Sequence, residues 1–269
     1  AIPAARRPHR CVGALGGSDE GLTRFIVAPV RRGPAGAAAA PYPWGMDADD
    51  ADGTALDGAD GLEFEFERKF YVRDLPPEVL AHGSKQVIVQ AYVFAVDGYA
   101  VRVRVTFPGR DVGLAPFDEA TDHLGAYERR ILAALLSESE ADATASIAVK
   151  SPAVAAERYE METEVDVSVA TQILRRSPNV ILKNRYSMWY DEDGWEFDIF
   201  GGQNEGLVIA ECERLAPVVG LRIPRFCTTE VSDDFRFTND YLSKEPWRQW
   251  KDMYAVELEA RGPHFLDMR

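Results

Sequence analysis

Residues 63–70 read EFEFERKF, with charge on every odd position and an aromatic ring on most even ones. Side chains of a strand point alternately to opposite faces. One face therefore carries Glu63, Glu65, Glu67 and Lys69, and the other mainly Phe. The pattern returns along the chain. VRVRV sets Arg102 and Arg104 against Val101, Val103 and Val105, and ERYEMETEV groups Arg158, Glu160, Glu162 and Glu164. LKNRY pairs Lys183 with Arg185, WEFDIF pairs Glu196 with Asp198, LVIAECE pairs Glu211 with Glu213, and Lys150 ends SIAVK. Alternation predicts strands at 62–72, 86–96, 99–107, 145–150, 157–167, 180–190, 194–200 and 206–214, with Asp97-Gly98 and Asp193-Gly194 as hairpin turns. Helices are fewer, at 76–82, 118–140, 168–176 and 246–260.

A solvated sheet face ordinarily mixes Thr, Ser and Gln among its charges. Here the i, i+2 pairs are almost wholly charged, and the signs segregate by strand. Adjacent like charges destabilise a sheet, so a polyanion must compensate the bases and a hard cation the carboxylates. One architecture meets both demands. It is an α+β, mainly antiparallel fold: an eight-stranded closed, tunnel-like β-barrel with a charged lumen and flanking helices. Phe64, Phe66, Val101 to Val105 and Cys212 then pack outward beneath the helices.

Composition removes several other readings. The formal charge of −14 argues against nucleic-acid binding as a whole-surface property. The acidity is uneven: 46–61 hold six Asp and no base, and 107–145 hold eight acids against three Arg. No apolar run approaches the roughly 18 residues that cross a bilayer, so no membrane association is expected. Cys11, Cys212 and Cys227 lack CxxC spacing, which suits a reducing compartment, with the cytoplasm as the default. His9, His82, His123 and His264 are too scattered for a His-zinc site. Glycine-rich dinucleotide and P-loop motifs are absent. Residues 1–61, rich in Ala, Gly, Pro and Asp, read as a mostly disordered leader that includes the first Met, Met46, with a short strand at 24–30 as the competing reading.

The EFERK stretch resembles the ExExK signature of the CYTH superfamily, the triphosphate tunnel metalloenzymes. The elements after it keep that family's order: QAYV (Gln90), VRVR, IAVK, RYEMETEV, KNR, WEFDIFGG, GLVIAECE and EVSDDFRFTNDYLS. The resemblance spans about 62–243 and implies a triphosphate-binding tunnel domain over 62–245. Carried over position by position, Arg102, Arg104, Lys150, Lys183 and Arg185 resemble the phosphate clamp, with Arg158 a further candidate at the reacting end. Glu65, Glu67, Glu211 and Glu213 resemble ligands of Mg²⁺ or Mn²⁺, and Lys69 resembles the lysine that neutralises charge near the reacting phosphoryl, beside Glu67. Glu160, Glu162 and Asp198 are second-tier positions that hold a second metal, orient water or pair with lumen bases.

Two stretches depart from the family. Residues 108–144 replace a tight turn and are expected to form a lid, a partner surface or a subunit contact of a homodimer. Residues 246–269 form a helical tail in which Trp247, Trp250 and Tyr254 stand at helical spacing. The implied activity is metal-dependent hydrolysis of a terminal phosphoanhydride in tripolyphosphate, a nucleoside triphosphate or thiamine triphosphate. The alternatives are a class IV-type adenylyl cyclase and a non-catalytic polyphosphate or nucleotide binding module.

Overall fold

Alternating strands make up most of the regular structure among the described residues. The computed structural model describes residues 63–122, 125–152, 157–214 and 216–267, without the side chains of 63–65 and 157–158. The expected leader and its strand at 24–30 lie outside the described residues. Eight long strands occur: β1 (Glu63–Tyr71), β2 (Ser84–Val96), β3 (Tyr99–Pro108), β4 (Thr144–Lys150), β5 (Glu157–Glu164), β6 (Val180–Tyr190), β7 (Asp193–Phe200) and β8 (Val208–Arg214). A two-residue β9 (Thr229–Glu230) joins the edge of β1. The strands pair antiparallel in the order β5-β4-β3-β2-β6-β7-β8-β1-β9, and β1 pairs a second time with β5 over Glu63–Phe66. The fold is thus α+β and mainly antiparallel, with flanking helices.

The outer faces carry the apolar half of each alternation. Val87, Val89, Val103, Val105 and Phe107 pack with Leu132, Leu135 and Tyr127 of α2 (Ala126–Ser139) and with Ala170 and Leu174 of α3 (Val167–Arg176). Asp166 caps α3 by accepting from the Ser168 and Val169 N–H groups, and Arg175 and Arg176 meet the negative end of its dipole. Phe70, Trp195, Phe197 and Cys212 form a second cluster with Val218, Leu221 and Cys227. Cys212 therefore faces away from its neighbours Glu211 and Glu213, as the alternation requires, and burial pushes its thiol up to about 12. The third cluster joins Ile209 and Phe200 to Trp247, Trp250, Tyr254 and Leu258, the last two on α5 (Lys251–Arg261). Each such side chain fully buried contributes about 1.5–3 kcal/mol.

Three local expectations need correction. The helix expected over 118–140 begins only at Ala126, because the Asp118 carboxylate accepts from the Ala120 N–H and so makes a competing turn. The tail helix begins at Lys251; Trp247–Gln249 is a 3₁₀ turn, and Trp250 lies outside helical geometry at φ −133° and ψ 0°. The β6–β7 turn is Asp191-Glu192, with Asp191 at φ +54°, whereas Asp193 and Gly194 already pair with Tyr190 and Trp189. The β2–β3 turn is Asp97-Gly98 as expected, both at positive φ, and a Cβ on Gly98 would meet Pro152 Cβ at 2.9 Å.

The described residues of 108–144 pack against the sheet. Asn184 of β6 grips Val112 from both sides, accepting its N–H at 3.1 Å and donating to its carbonyl at 2.8 Å. Leu132 of α2 is completely buried against the sheet. Removing this stretch would uncover Val87, Val105 and Phe107. A short helix, α4 (Asn239–Lys244), has no counterpart in the periodicity; α1 (Pro77–His82) begins within a residue of its expected place.

Candidate active site

Strand register brings the charged faces together. In the β1–β8 pair, Glu67 stands opposite Glu213 and Lys69 opposite Glu211. In the β2–β3 pair, Gln90 stands opposite Arg104 and Tyr92 opposite Arg102. All of these positions except Gln90 line one cavity of about 120 Å³ with Lys150, Glu162 and Arg185. Its charged side chains thus come from β1, β3, β4, β5, β6 and β8. The mouth adds Gly98, Ala100, Thr238, Asn239 and Asp240.

Lys69 occupies the centre of the acidic side. Its Nζ donates to Glu67 Oε2 at 2.8 Å and to Glu211 Oε1 at 2.7 Å. Burial works to lower its pKa, but Glu211 and Glu67 prevail and hold it above the ordinary lysine value. Glu211 also accepts from Arg185 Nη2 at 2.8 Å. Burial opposes its ionisation, yet Lys69, Arg185 and Lys183 keep it well below the usual carboxylate range. Arg185 further donates to Glu196, and to Asp198 through Nε at 2.7 Å and Nη2 at 2.8 Å.

On the other side, Arg102 donates to Glu160 at 3.1 Å and to Glu162. Lys150 pairs with Glu160, and Ser146 donates to Glu162. Arg104 differs: among the described residues its side chain makes one hydrogen bond, from Nε to Gln90 Oε1 at 3.3 Å, and no ion pair. Burial, with the Arg102 guanidinium beside it, lowers its pKa to about 10. A half-buried base without an ion pair among the described residues favours an anion from outside.

Lys183 and Asp198 do not line the cavity, although the resemblance places both at the site. Lys183 is completely buried, pairs with Asp198, and sits 5.5 Å from the Phe200 ring centroid. Burial, then Arg185, lowers its pKa to about 8 against the pull of Asp198. The two form an ionic layer beneath Arg185. Glu65 and Arg158 are Cα partners across β1 and β5.

Glu67, Glu211 and Glu213 form an all-oxygen donor set on neighbouring strands, the chemistry that suits Mg²⁺ or Mn²⁺. Among the described residues, no three His, Cys, Asp or Glu side chains stand close enough to hold a metal as they are placed. The Lys69 ammonium between Glu67 and Glu211 explains the spacing. Sequence reasoning missed Tyr92 and the mouth residues. Tyr92 was within reach, two positions from Gln90 on the same face; Asn239 was not, because α4 has no periodic signal.

No protein-family model matches this chain. It is similar to the inorganic triphosphatase of Acetivibrio thermocellus, 36% identical over 108 residues that span 39% of this chain and 69% of that protein. Among solved structures it is similar to the inorganic triphosphatase NE1496 (21% identity, TM-score 0.41, covering 66% of this chain and 93% of that one). A Hippeastrum protein, an adenylyl cyclase candidate with a dominant triphosphatase activity, matches at 12% identity and TM-score 0.31, covering 74% of this chain and 88% of that one. No helix among the described residues is long and apolar enough to cross a membrane. The Acetivibrio relationship, joined to the ordered run of charged strands, decides the family: this chain belongs to the CYTH superfamily of triphosphate tunnel metalloenzymes.

Proposed function

We propose that the chain is a metal-dependent triphosphatase that hydrolyses a terminal phosphoanhydride, with inorganic tripolyphosphate as the first substrate to test. The observation that carries this reading is the single cavity into which Arg102, Arg104, Lys150 and Arg185 project opposite Glu67, Lys69, Glu211 and Glu213. The second pairing of β1, with β5, supports the finer architecture of an eight-stranded closed tunnel. In domain terms, 62–245 is the catalytic unit, with α2 of the 108–144 stretch built into its outer core and α5 of the 246–269 tail packed on its outside.

Guanidinium groups take phosphate oxygens through paired N–H donors, and an ammonium acts as a point charge. Arg102, Arg104, Lys150 and Arg185 therefore hold the polyphosphate, and Lys183 and Asp198 set the aim of Arg185 from below. Arg158, opposite Glu65, is assigned to the same clamp by strand register alone. Glu67, Glu211 and Glu213, with Glu65 from the same strand, would hold a divalent cation, Mg²⁺ or Mn²⁺, which supplies Lewis-acid polarisation of phosphate oxygens. Lys69, protonated throughout the neutral range and held by Glu67 and Glu211, places its positive charge beside the phosphate oxygen on which charge develops as it departs. Water attacks the terminal phosphorus, the bridging P–O bond breaks, and tripolyphosphate yields orthophosphate and pyrophosphate. Such transfer asks for positioning and charge neutralisation more than covalent chemistry.

Pure protein incubated with tripolyphosphate, ATP or thiamine triphosphate, with Mg²⁺, Mn²⁺ or EDTA, tests the reading. Metal-dependent orthophosphate release is the expected result. Pyrophosphate with a cyclic nucleotide would identify a cyclase instead, and tight binding without product a binding module.

A further inference from the structure

A buried ionic network on the outer face of β1 lies outside the cavity. Arg68 stands between Glu67 and Lys69 in β1, so it points to the opposite face. There its Nε and Nη2 donate to the two oxygens of Glu230 at 2.8 and 2.6 Å, in a pair almost sealed from solvent. Glu230 also accepts from the Leu266 N–H at 2.8 Å and from Ser232 Oγ at 2.8 Å. The Ser232 proton goes to the carboxylate, the nearer of its two acceptors, with the Lys69 carbonyl at 3.4 Å, and the lone pairs of that oxygen accept the Lys69 N–H at 2.9 Å. The Lys69 carbonyl is taken by the Val231 N–H at 2.8 Å.

The register explains why a side chain is needed. β9 pairs with β1 only at Tyr71 and Phe70 and offers no backbone acceptor further along. Lys69 is the next residue. A buried pair such as Arg68–Glu230 adds little net stability, because desolvation offsets its attraction, but it fixes geometry. Here it fixes the oxygen that holds the lysine whose ammonium must reach two carboxylates at once.

We propose that Ser232 is a positioning residue for Lys69: its hydroxyl, oriented by the Arg68–Glu230 pair, stands in for the backbone acceptor that β9 lacks and sets where the Lys69 ammonium lies between Glu67 and Glu211. The inference rests on the triphosphatase reading of the cavity. A merely structural hydroxyl would change stability alone; a positioning one changes turnover through Lys69.

The test compares Ser232→Ala and Ser232→Thr, each in the wild-type chain and in Lys69→Ala, by kcat and KM for tripolyphosphate, thermal melting, and amide hydrogen exchange at residue 69. Small displacements of a catalytic group lower turnover steeply, so Ser232→Ala should lose about tenfold in kcat with KM changed by less than about twofold. Ser232→Thr, which keeps the oxygen, should restore most of the loss. In the Lys69→Ala background, Ser232→Ala should cost less than about twofold, because the coupled partner is already gone. An unchanged kcat in Ser232→Ala, or the same loss with and without Lys69, would overturn the proposal. If the wild-type chain releases no phosphate, the functional reading fails separately, and exchange then decides the structural hold. Faster exchange at residue 69 in Ser232→Ala but not in Ser232→Thr supports that hold, and equal rates in all three chains refute it.

Discussion

On the side of the cavity built from β1, β6, β7 and β8, three bases (Lys69, Lys183 and Arg185) meet four carboxylates (Glu67, Glu196, Asp198 and Glu211), with Glu213 also at the wall. On the side built from β3, β4 and β5, three bases (Arg102, Arg104 and Lys150) meet two carboxylates (Glu160 and Glu162). Among the described residues, the first wall has more carboxylates than bases and the second more bases than carboxylates. The ion pairs described above stay within each wall. A metal-bound polyphosphate supplies what both lack: a cation for the acidic wall and an oxyanion chain for the basic one. The contrast assigns roles as well. Groups already locked in pairs, such as Lys183 with Asp198, position their neighbours; Arg104, with no ion pair among the described residues, is left to grip.

The largest effect is expected on the acidic wall. Removing one preorganised electrostatic contact costs about 10²–10³ in rate, so Lys69→Ala should lower phosphate release from tripolyphosphate by that factor in steady-state assays. An unaltered rate would break the comparison by moving the chemistry elsewhere. Next comes the basic wall. A hydrogen bond to a charged group is worth about 1.5–3 kcal/mol, so Arg104→Ala should raise KM about tenfold to a hundredfold while kcat changes less. The variant should also depend less on salt. A fall in kcat alone would erase the division of labour between the walls.

The outsides of the two walls differ too. The basic wall is covered by α2 and α3, and the acidic one by the segment around Val218–Cys227 and the tail. Cutting a fully buried leucine to alanine costs about 2–5 kcal/mol, so Leu132→Ala should lose that much in denaturant unfolding while keeping KM for tripolyphosphate. A loss below about 1 kcal/mol, well under the ordinary range for such truncations, would show that α2 is a dispensable cover.

These contrasts were unevenly legible in the sequence. The alternation in EFEFERKF and VRVRV exposed which residues share a face, because period two is a property of the strand itself. It did not say which base meets which acid, since that depends on the register between strands distant in the chain. Lys183 is the clear case: its place in LKNRY matched Arg185, yet Phe200 and Asp198 across β7 draw it under the wall. The Arg68–Glu230 pair was hidden for the same reason, with 162 residues between its partners. The inserted helix was visible by its apolar spacing, but its burial depended on sheet positions no local pattern records.

The smallest expected effect lies in that helix. Glu128 of α2 is almost completely buried, and a Cβ on Gly202 would fall within 1.9 Å of its Oε1. Its Oε2 has no hydrogen-bond partner among the described residues. Burial raises its pKa to about 7, against the Gln203 N–H and the nearby Arg129, with Asp122 adding to the rise. The folded state therefore holds a proton that the unfolded state releases near its ordinary carboxylate pKa of about 4.3. This contribution is complete below that pH and is lost as pH rises through about 7. Relative to Glu128→Gln, the wild-type chain should become less stable as pH rises across that window, a tenfold change in proton affinity being worth about 1.4 kcal/mol. Parallel curves of stability against pH for the two proteins would place the carboxyl in a wetter setting.

Basic side chains from β1, β3, β4 and β6 must grip one polyanion together for these roles to hold. Calorimetric titration of tripolyphosphate into the wild-type chain and Arg104→Ala, with EDTA present, measures that grip without turnover. The expected result is one site per chain, weakened by added salt and weakened about tenfold or more by the substitution. A wild-type chain that binds no tripolyphosphate, or an Arg104→Ala chain that binds it equally well, would contradict the account.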